Sequence, residues 1–450
     1  MKRFLFTSLI GAAVAGFMVA CSPQTAAESA PTDAFSAPPA SRTAVPATPA
    51  ATVEPVETPE HAQPTAAPTA TPTPPTGSNA PLFYYSADGH LYRAPIGGGP
   101  GERLTLQPLA DADDPDAVAA LAGYRPPRVS PDGRWLALNG NWGGAAVLDL
   151  AAAEVRGVGR GQAMAAPSWS PDSRYLSYIT PDDRLCIYDR DGGPDECPFQ
   201  SEGQQRLQDA VWSPGGSAVA VAVLDPPAAD GDACCRGEVW LVDAFAGGAT
   251  PLGDYTTGFE SVPGEVMAWA ADGSGLVIRQ TANGRGALYT LAGGALTYFD
   301  EPVLSVAPDG RTVLHPSGSV SRVDGGPASW ALPDSAGCDG YLSLAYAWSP
   351  DGGQLAYAPA CLTGDDAPPA ERILYVVETA TGNLLWQQAL SPAMTPVGWS
   401  PAGDQLLLQS SPGGMVDGWS IWRMAAGGEQ PLEKIVDQAL LLEVVSQWRE

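Results

Sequence analysis

Lysine is nearly missing from this chain. Of 450 residues only Lys2 and Lys434 are lysine, and the remaining cations are arginines scattered singly. Aspartate and glutamate number 50 against 23 lysines and arginines, which sets the formal net charge at −27. Nucleic-acid binding rests on clustered cations that neutralise phosphates, so the absence of any cluster argues against that class. Histidine is also scarce, with His61, His90 and His315 only. A Ser-His-Asp triad needs one of them beside a nucleophile, and neither His90 nor His315 has that context. No G-x-S-x-G elbow occurs; "GWSPAG" at 398–403 has the wrong spacing. Beyond the N-terminal segment no apolar run is long enough to span a bilayer.

The N-terminus reads as an address. Lys2 and Arg3 precede the apolar run "FLFTSLIGAAVAGFMVA", which ends in Met18-Val19-Ala20-Cys21. Its charged start, small residues and terminal Cys resemble a bacterial lipobox, with Met18 where Leu is more usual. The resemblance implies a signal peptide over 1–20, a lipid on Cys21, and an extracytoplasmic chain anchored to a bacterial membrane. The residues that follow, to about 80, are proline, alanine and threonine almost without aromatics. Such a segment cannot bury enough surface to fold and is expected to be a disordered stalk. Fully extended at polyproline spacing it would reach about 180 Å.

What is abundant is glycine and proline, 51 and 45 residues, in a chain that is 44% hydrophobic. That mixture suits many short strands joined by turns. One unit recurs: "RVSPDGRWLAL" at Arg128, "SWSPDSRYLSY" at Ser168, "VWSPGGSAVAV" at Val211, "AWAADGSGLVI" at Ala268, "SVAPDGRTVLH" at Ser305, "AWSPDGGQLAY" at Ala347 and "GWSPAGDQLLL" at Gly398. The mean period is about 45 residues, the mark of a β-propeller blade. Proline presets φ at the second position of a tight turn, and the Asp-Gly or Gly-Gly after it tolerates the positive φ that follows. The recurring Trp169, Trp212, Trp269, Trp348 and Trp399 are expected to pack blade against blade.

The segment 82–106 carries three strand-like stretches but no anchor strand. The C-terminal "ALLLEVVSQW" is placed to supply it, so the ring is expected to close between the two chain ends. Seven anchored units and one split unit make eight blades over 81–450. Seven is the alternative, and 431–450 also permits a helical reading through Leu432, Ile435, Val436, Ala439 and Leu440.

The "SPDG" strands with "ILYVVE"-like third strands resemble the TolB-type or PD40 subgroup of WD40-like propellers over about 82–447. The resemblance implies the fold; the motifs are shared by many activities. One unit, "VVETATGNLLW" at 376–386, is similar to the tryptophan-docking repeat of quinoprotein-like propellers, with Glu378 where that family has Asp.

Six cysteines besides Cys21 suggest disulfides in an exported chain. Hairpin register sets Cys186 near Cys197 around "DGGP" at 191–194, and Cys361 near Cys338 around "SPDGG" at 349–353. Cys234 and Cys235 are either a vicinal disulfide or two free thiols. No second Cys pair or His has zinc-ligand spacing. "DRDGGPDE" at 189–196 and "DADDPD" at 111–116 read as acidic turns rather than calcium loops. The chain is therefore expected to be an all-β membrane-anchored propeller with no cofactor and no metal, non-enzymatic, docking an unknown protein or peptide partner. The alternative is binding or hydrolysis of a small molecule or glycan in the central funnel.

Overall fold

The computed structural model describes residues 80–86, 88–105, 128–139, 145–152, 154–159, 167–226, 236–256, 267–281, 285–324, 330–332, 341–362, 372–391, 393–410, 419–428, 431–437 and 439–444. These residues hold strands and no helix. They make eight four-stranded antiparallel sheets arranged as an eight-bladed β-propeller. Blades 2 to 8 occupy 128–159, 168–200, 206–256, 267–298, 305–331, 341–390 and 394–437, each in simple chain order.

Blade 1 is split. Pro81–Ser86, Leu91–Pro95 and Glu102–Arg103 come from one end of the chain and Ala439–Val444 from the other. Leu82 pairs with Val444 and Ser86 with Ala439, with a register shift between Phe83 and Tyr84. The chain ends thus close the ring. The helical alternative for the C-terminal segment gives way to two strands, Glu433–Asp437 and Ala439–Val444. An open inner edge beside Leu82, Phe83, Tyr84 and Tyr85, all buried, would leave backbone donors and acceptors unpaired.

The core lies between blades, not within them. In blade 4 the strand Ala218–Leu224 reads "AVAVAVL". Its Val219, Val221 and Val223 pack on Ile179, Leu185 and Ile187 of blade 3. Its Ala220 and Ala222 pack on Met267, Trp269, Leu276 and Ile278 of blade 5. Both faces of a middle strand are covered, so the strand is apolar throughout instead of alternating with polar residues. Valine on one face and alanine on the other let the neighbouring sheets approach at different depths.

Two arginines reinforce the ring beside the split blade. Arg423 of blade 8 donates from Nη1 to the Ile96 carbonyl at 2.8 Å, and Arg93 of blade 1 donates to the Leu150 carbonyl of blade 2 at 3.1 Å.

Candidate functional site

One end of the propeller is built from the repeated turn, and its geometry is the same seven times. The glycine N–H, or Ser173 N–H in blade 3, donates to the carbonyl three residues back, as Gly133 does to Ser130 at 2.8 Å. The residue opening each turn donates its N–H across the hairpin, as Ser130 does to Trp135 at 2.8 Å. The positive φ falls at Gly133, Ser173, Gly216, Gly273, Gly310, Gly352 and Gly403, between 62° and 71°. This is a type I turn followed by a left-handed residue, the ordinary way to close such a hairpin.

Serine and aspartate lock the turn further. Ser349 Oγ donates to Asp351 Oδ1 at 2.6 Å and accepts from Gln354 N at 2.8 Å, while Asp351 Oδ1 also accepts from Gly353 N at 2.9 Å. The Ser349 hydroxyl, then the Gly353 N–H, hold the Asp351 carboxyl below its ordinary range. Ser130 with Asp132 and Ser170 with Asp172 repeat the arrangement, both at 2.5 Å.

The recurrent tryptophans join successive blades by a repeated bond. Each indole N–H donates to the residue just before the tryptophan position of the preceding blade. Trp169 reaches Arg128 O at 2.9 Å, Trp212 Ser168 O at 3.0 Å, Trp269 Val211 O at 3.1 Å and Trp399 Ala347 O at 3.0 Å. Trp348 finds Ser305 Oγ at 3.1 Å instead. A second tryptophan series lies on the outer strands. Trp330 donates to Thr379 O of blade 7 at 3.0 Å, and Trp386 to Ala426 O of blade 8 at 2.5 Å. Their rings lie against Gly382 and Gly428, where a Cβ would approach the indole Cδ2 to 2.5 Å and 2.8 Å. The unit at 376–386 therefore both donates a docking tryptophan and receives one from "PASW". Nothing in the sequence marks Trp330, because its own repeat lacks the surrounding motif.

These contacts make the turn face a fixed surface. Two features stand on it. A recess of about 370 Å3 is lined by Ala271, Asp272, Asp309, Arg311 and Asp351, from the turns of blades 5, 6 and 7. On blades 3 and 4, Tyr175, Trp212 and Phe245 form an aromatic step: Tyr175 and Phe245 meet edge to face with centroids 5.0 Å apart, and Trp212 lies 6.3 Å from each. Beside it three guanidiniums, from Arg134, Arg156 and Arg190, surround the Trp135 ring at 5.5 Å. Arg190 also reaches Asp132 of the neighbouring blade at 3.0 Å. Neither feature was read from the sequence, since Tyr175 and Phe245 lie 70 positions apart in different repeat units.

The candidate residues divide as follows. Cys186 and Cys197 are joined in a disulfide, with Cα atoms 4.0 Å apart. Cys361 lies in the strand Gln354–Leu362, its backbone opposite Leu342. Cys21, Cys234, Cys235 and Cys338, and the acidic run 111–116, lie outside the described residues. In the other acidic run Asp189 takes Arg174 at 2.8 Å and Asp195 accepts the Tyr178 hydroxyl at 2.8 Å. Among the described residues no three His, Cys, Asp or Glu side chains converge as metal ligands. Both described histidines are tied into blades. His90 Nδ1 lies 3.0 Å from Thr105 O. His315, 1% exposed, lies 2.7 Å from Pro302 O and 2.8 Å from Ser321 Oγ.

Fold and face together define the class: an eight-bladed β-propeller with a rigid turn face. No protein-family model and no curated protein matches the chain. Similar solved structures include the dihydro-heme d1 dehydrogenase NirN in complex with DHE, at TM-score 0.56 and 16% identity, covering 84% of this chain and 78% of that one. An oligogalacturonate lyase in complex with manganese aligns at TM-score 0.42 and 14% identity, over 81% and 85% of the two chains. A eukaryotic initiation factor aligns at 0.45 and 14%, over 80% and 97%. At these identities the likeness to NirN concerns the fold alone.

Proposed function

We propose that this chain is a lipid-anchored extracytoplasmic propeller of the TolB-type or PD40 kind that docks a protein partner. The observation that carries the reading is the turn face. Seven turns of one geometry, each with its own hydrogen bonds and most braced by a neighbour's tryptophan, hold a broad surface in one conformation before any partner arrives. A preformed surface binds without an ordering cost, which favours recognition by shape and charge. The lipobox-like Cys21 and the proline-rich stalk would hold this surface away from a membrane.

The test uses the intact lipidated chain in its native envelope. Cross-linking followed by mass spectrometry should yield a recurrent partner joined to residues of the turn face, and the mature N-terminus should be an acylated Cys21. A soluble mature chain starting elsewhere would remove the anchor from this proposal. Cross-links confined to the outer strands would remove the face.

The recess supports a second reading, a polar small-molecule site. Asp272, Asp309, Asp351 and Arg311 line this space together, so a zwitterion or amino sugar has groups of both signs to meet. Ligand-observed NMR with such compounds, lost on Arg311→Ala, would favour it.

A further inference from the structure

Phe245 is the most exposed large hydrophobic side chain among the described residues, at 50%. It stands in the short turn between Arg236–Asp243 and Ala249–Thr256 of blade 4. Asp243 Oδ1 accepts the N–H groups of Phe245 and Ala246, at 2.9 and 2.7 Å, so the turn that presents the ring is pinned. Behind Phe245 lie Tyr175 and the buried Trp212, which keep the ring from folding inward. Most aromatics of the described residues are buried or half-buried between blades, and Phe245 is held out.

The surroundings say what it would meet. Asp172, Asp191 and Asp243 are exposed. Asp172 lies in the turn before Tyr175, and Asp243 opens the turn that carries Phe245. Asp191, in the next hairpin of blade 3, acts on Tyr175 through its charge while lying 3.5 Å from Arg174 and 3.8 Å from Arg190. An aromatic face draws a cation through its quadrupole, and carboxylates beside it add charge-assisted hydrogen bonds. The protein already makes this pairing internally. The Arg174 guanidinium sits 4.9 Å from the Tyr175 ring centroid while Asp189 holds it at 2.8 Å. Phe245 offers the adjoining ring with no cation of this chain over it among the ring–cation contacts of the described residues. The step is an open rim and not an enclosed pocket, which suits a side chain carried on a polypeptide. The chain's net charge of −27 adds long-range attraction for the same sign.

We infer that the Phe245–Tyr175 step on blades 3 and 4 receives an arginine or lysine side chain from a basic segment of the partner protein. This rests on the interaction-module reading and names the chemistry of its partner. The probe is fluorescein-labelled nona-arginine, with nona-glutamate as control, titrated by anisotropy against the full mature chain in detergent. Nona-arginine binds and nona-glutamate does not. Phe245→Ala weakens binding by about fivefold, the size of one exposed cation–π contact, while Phe245→Trp retains it. Asp191→Asn also weakens it and reduces its salt dependence. Leu384→Ala, an exposed change on blade 7, leaves it unaltered. Equal affinity of the Phe245→Ala and parent chains overturns the inference, because the peptide is then held by general acidity. An envelope partner whose capture survives both Phe245→Ala and nona-arginine competition also overturns it, yet leaves the interaction module standing. Phe245-dependent nona-arginine binding with no envelope partner overturns the interaction module and the partner with it, and leaves only the affinity of the step for cationic side chains.

Discussion

Removing residues 438–450 takes away the inner strand of blade 1 and nothing else that the described structure contains. Five register pairs, from Leu82 with Val444 to Ser86 with Ala439, are lost, together with the Ala439 N–H to Trp419 O bond at 3.0 Å. At about 1 kcal/mol for each hydrogen bond, the ladder alone is worth about 5 kcal/mol. Uncovering Leu82, Phe83, Tyr84 and Tyr85, now 0 to 4% exposed, adds to that. A native domain is stable by only about 5–15 kcal/mol, so the loss is a large share of the whole. The truncated chain is expected to melt at least about 10 °C lower, or to aggregate through the bared edge. Differential scanning calorimetry and sedimentation velocity on both chains measure this. Deleting residues 22–78 serves as the comparison and should leave the melting temperature within about 2 °C. Should the C-terminal truncation melt with the parent and remain monomeric, closure by the chain ends does not stabilise the ring and the reasoning fails.

Three further outcomes follow from the turn face and its braces. Trp399→Phe keeps most of the buried volume but removes the donor to Ala347 O; it should cost about 1–3 kcal/mol in urea unfolding, and no measurable loss would show that bond to be idle. Gly310→Ala should destabilise far more than Gly216→Ala although both glycines have nearly the same φ, because a Cβ at 310 would come within 2.2 Å of Ala271 N whereas at 216 it meets only Pro171 at 3.6 Å; equal chemical-denaturation midpoints would refute the close approach of those turns. Asp189, Asp243 and Asp351 have carboxyls held below the ordinary range, by Arg174, by the Ala246 and Phe245 N–H groups, and by Ser349 and Gly353 respectively. A depressed folded-state value means stability that is present above the unfolded value and lost as pH falls through the folded one, so urea midpoints should fall from about pH 4 downward, and less steeply in Asp351→Asn.

The architecture was legible in the sequence because it is periodic. A turn that needs proline at one place and a positive φ two residues later returns every 45 residues or so, and local chemistry alone selects those residues. The missing anchor strand at 82–106 and the unassigned "ALLLEVVSQW" pointed to each other for the same reason: a repeat with one part absent at one end requires it at the other. The helical option for 431–450 was undecided, since five apolar positions fit either period. Pairing with Leu82–Ser86 decided it, through backbone groups that only the closed ring supplies. The bond between each tryptophan and the preceding blade was not readable either, because it spans 41 to 58 residues and, except at Trp348, ends on a carbonyl that any residue could provide. The same holds for the aromatic step. Tyr175 and Phe245 occupy different positions of different repeats, so no spacing marks them. They meet because blade 3 turns its second strand toward the outer hairpin of blade 4, and that juxtaposition exists only once the blades are stacked.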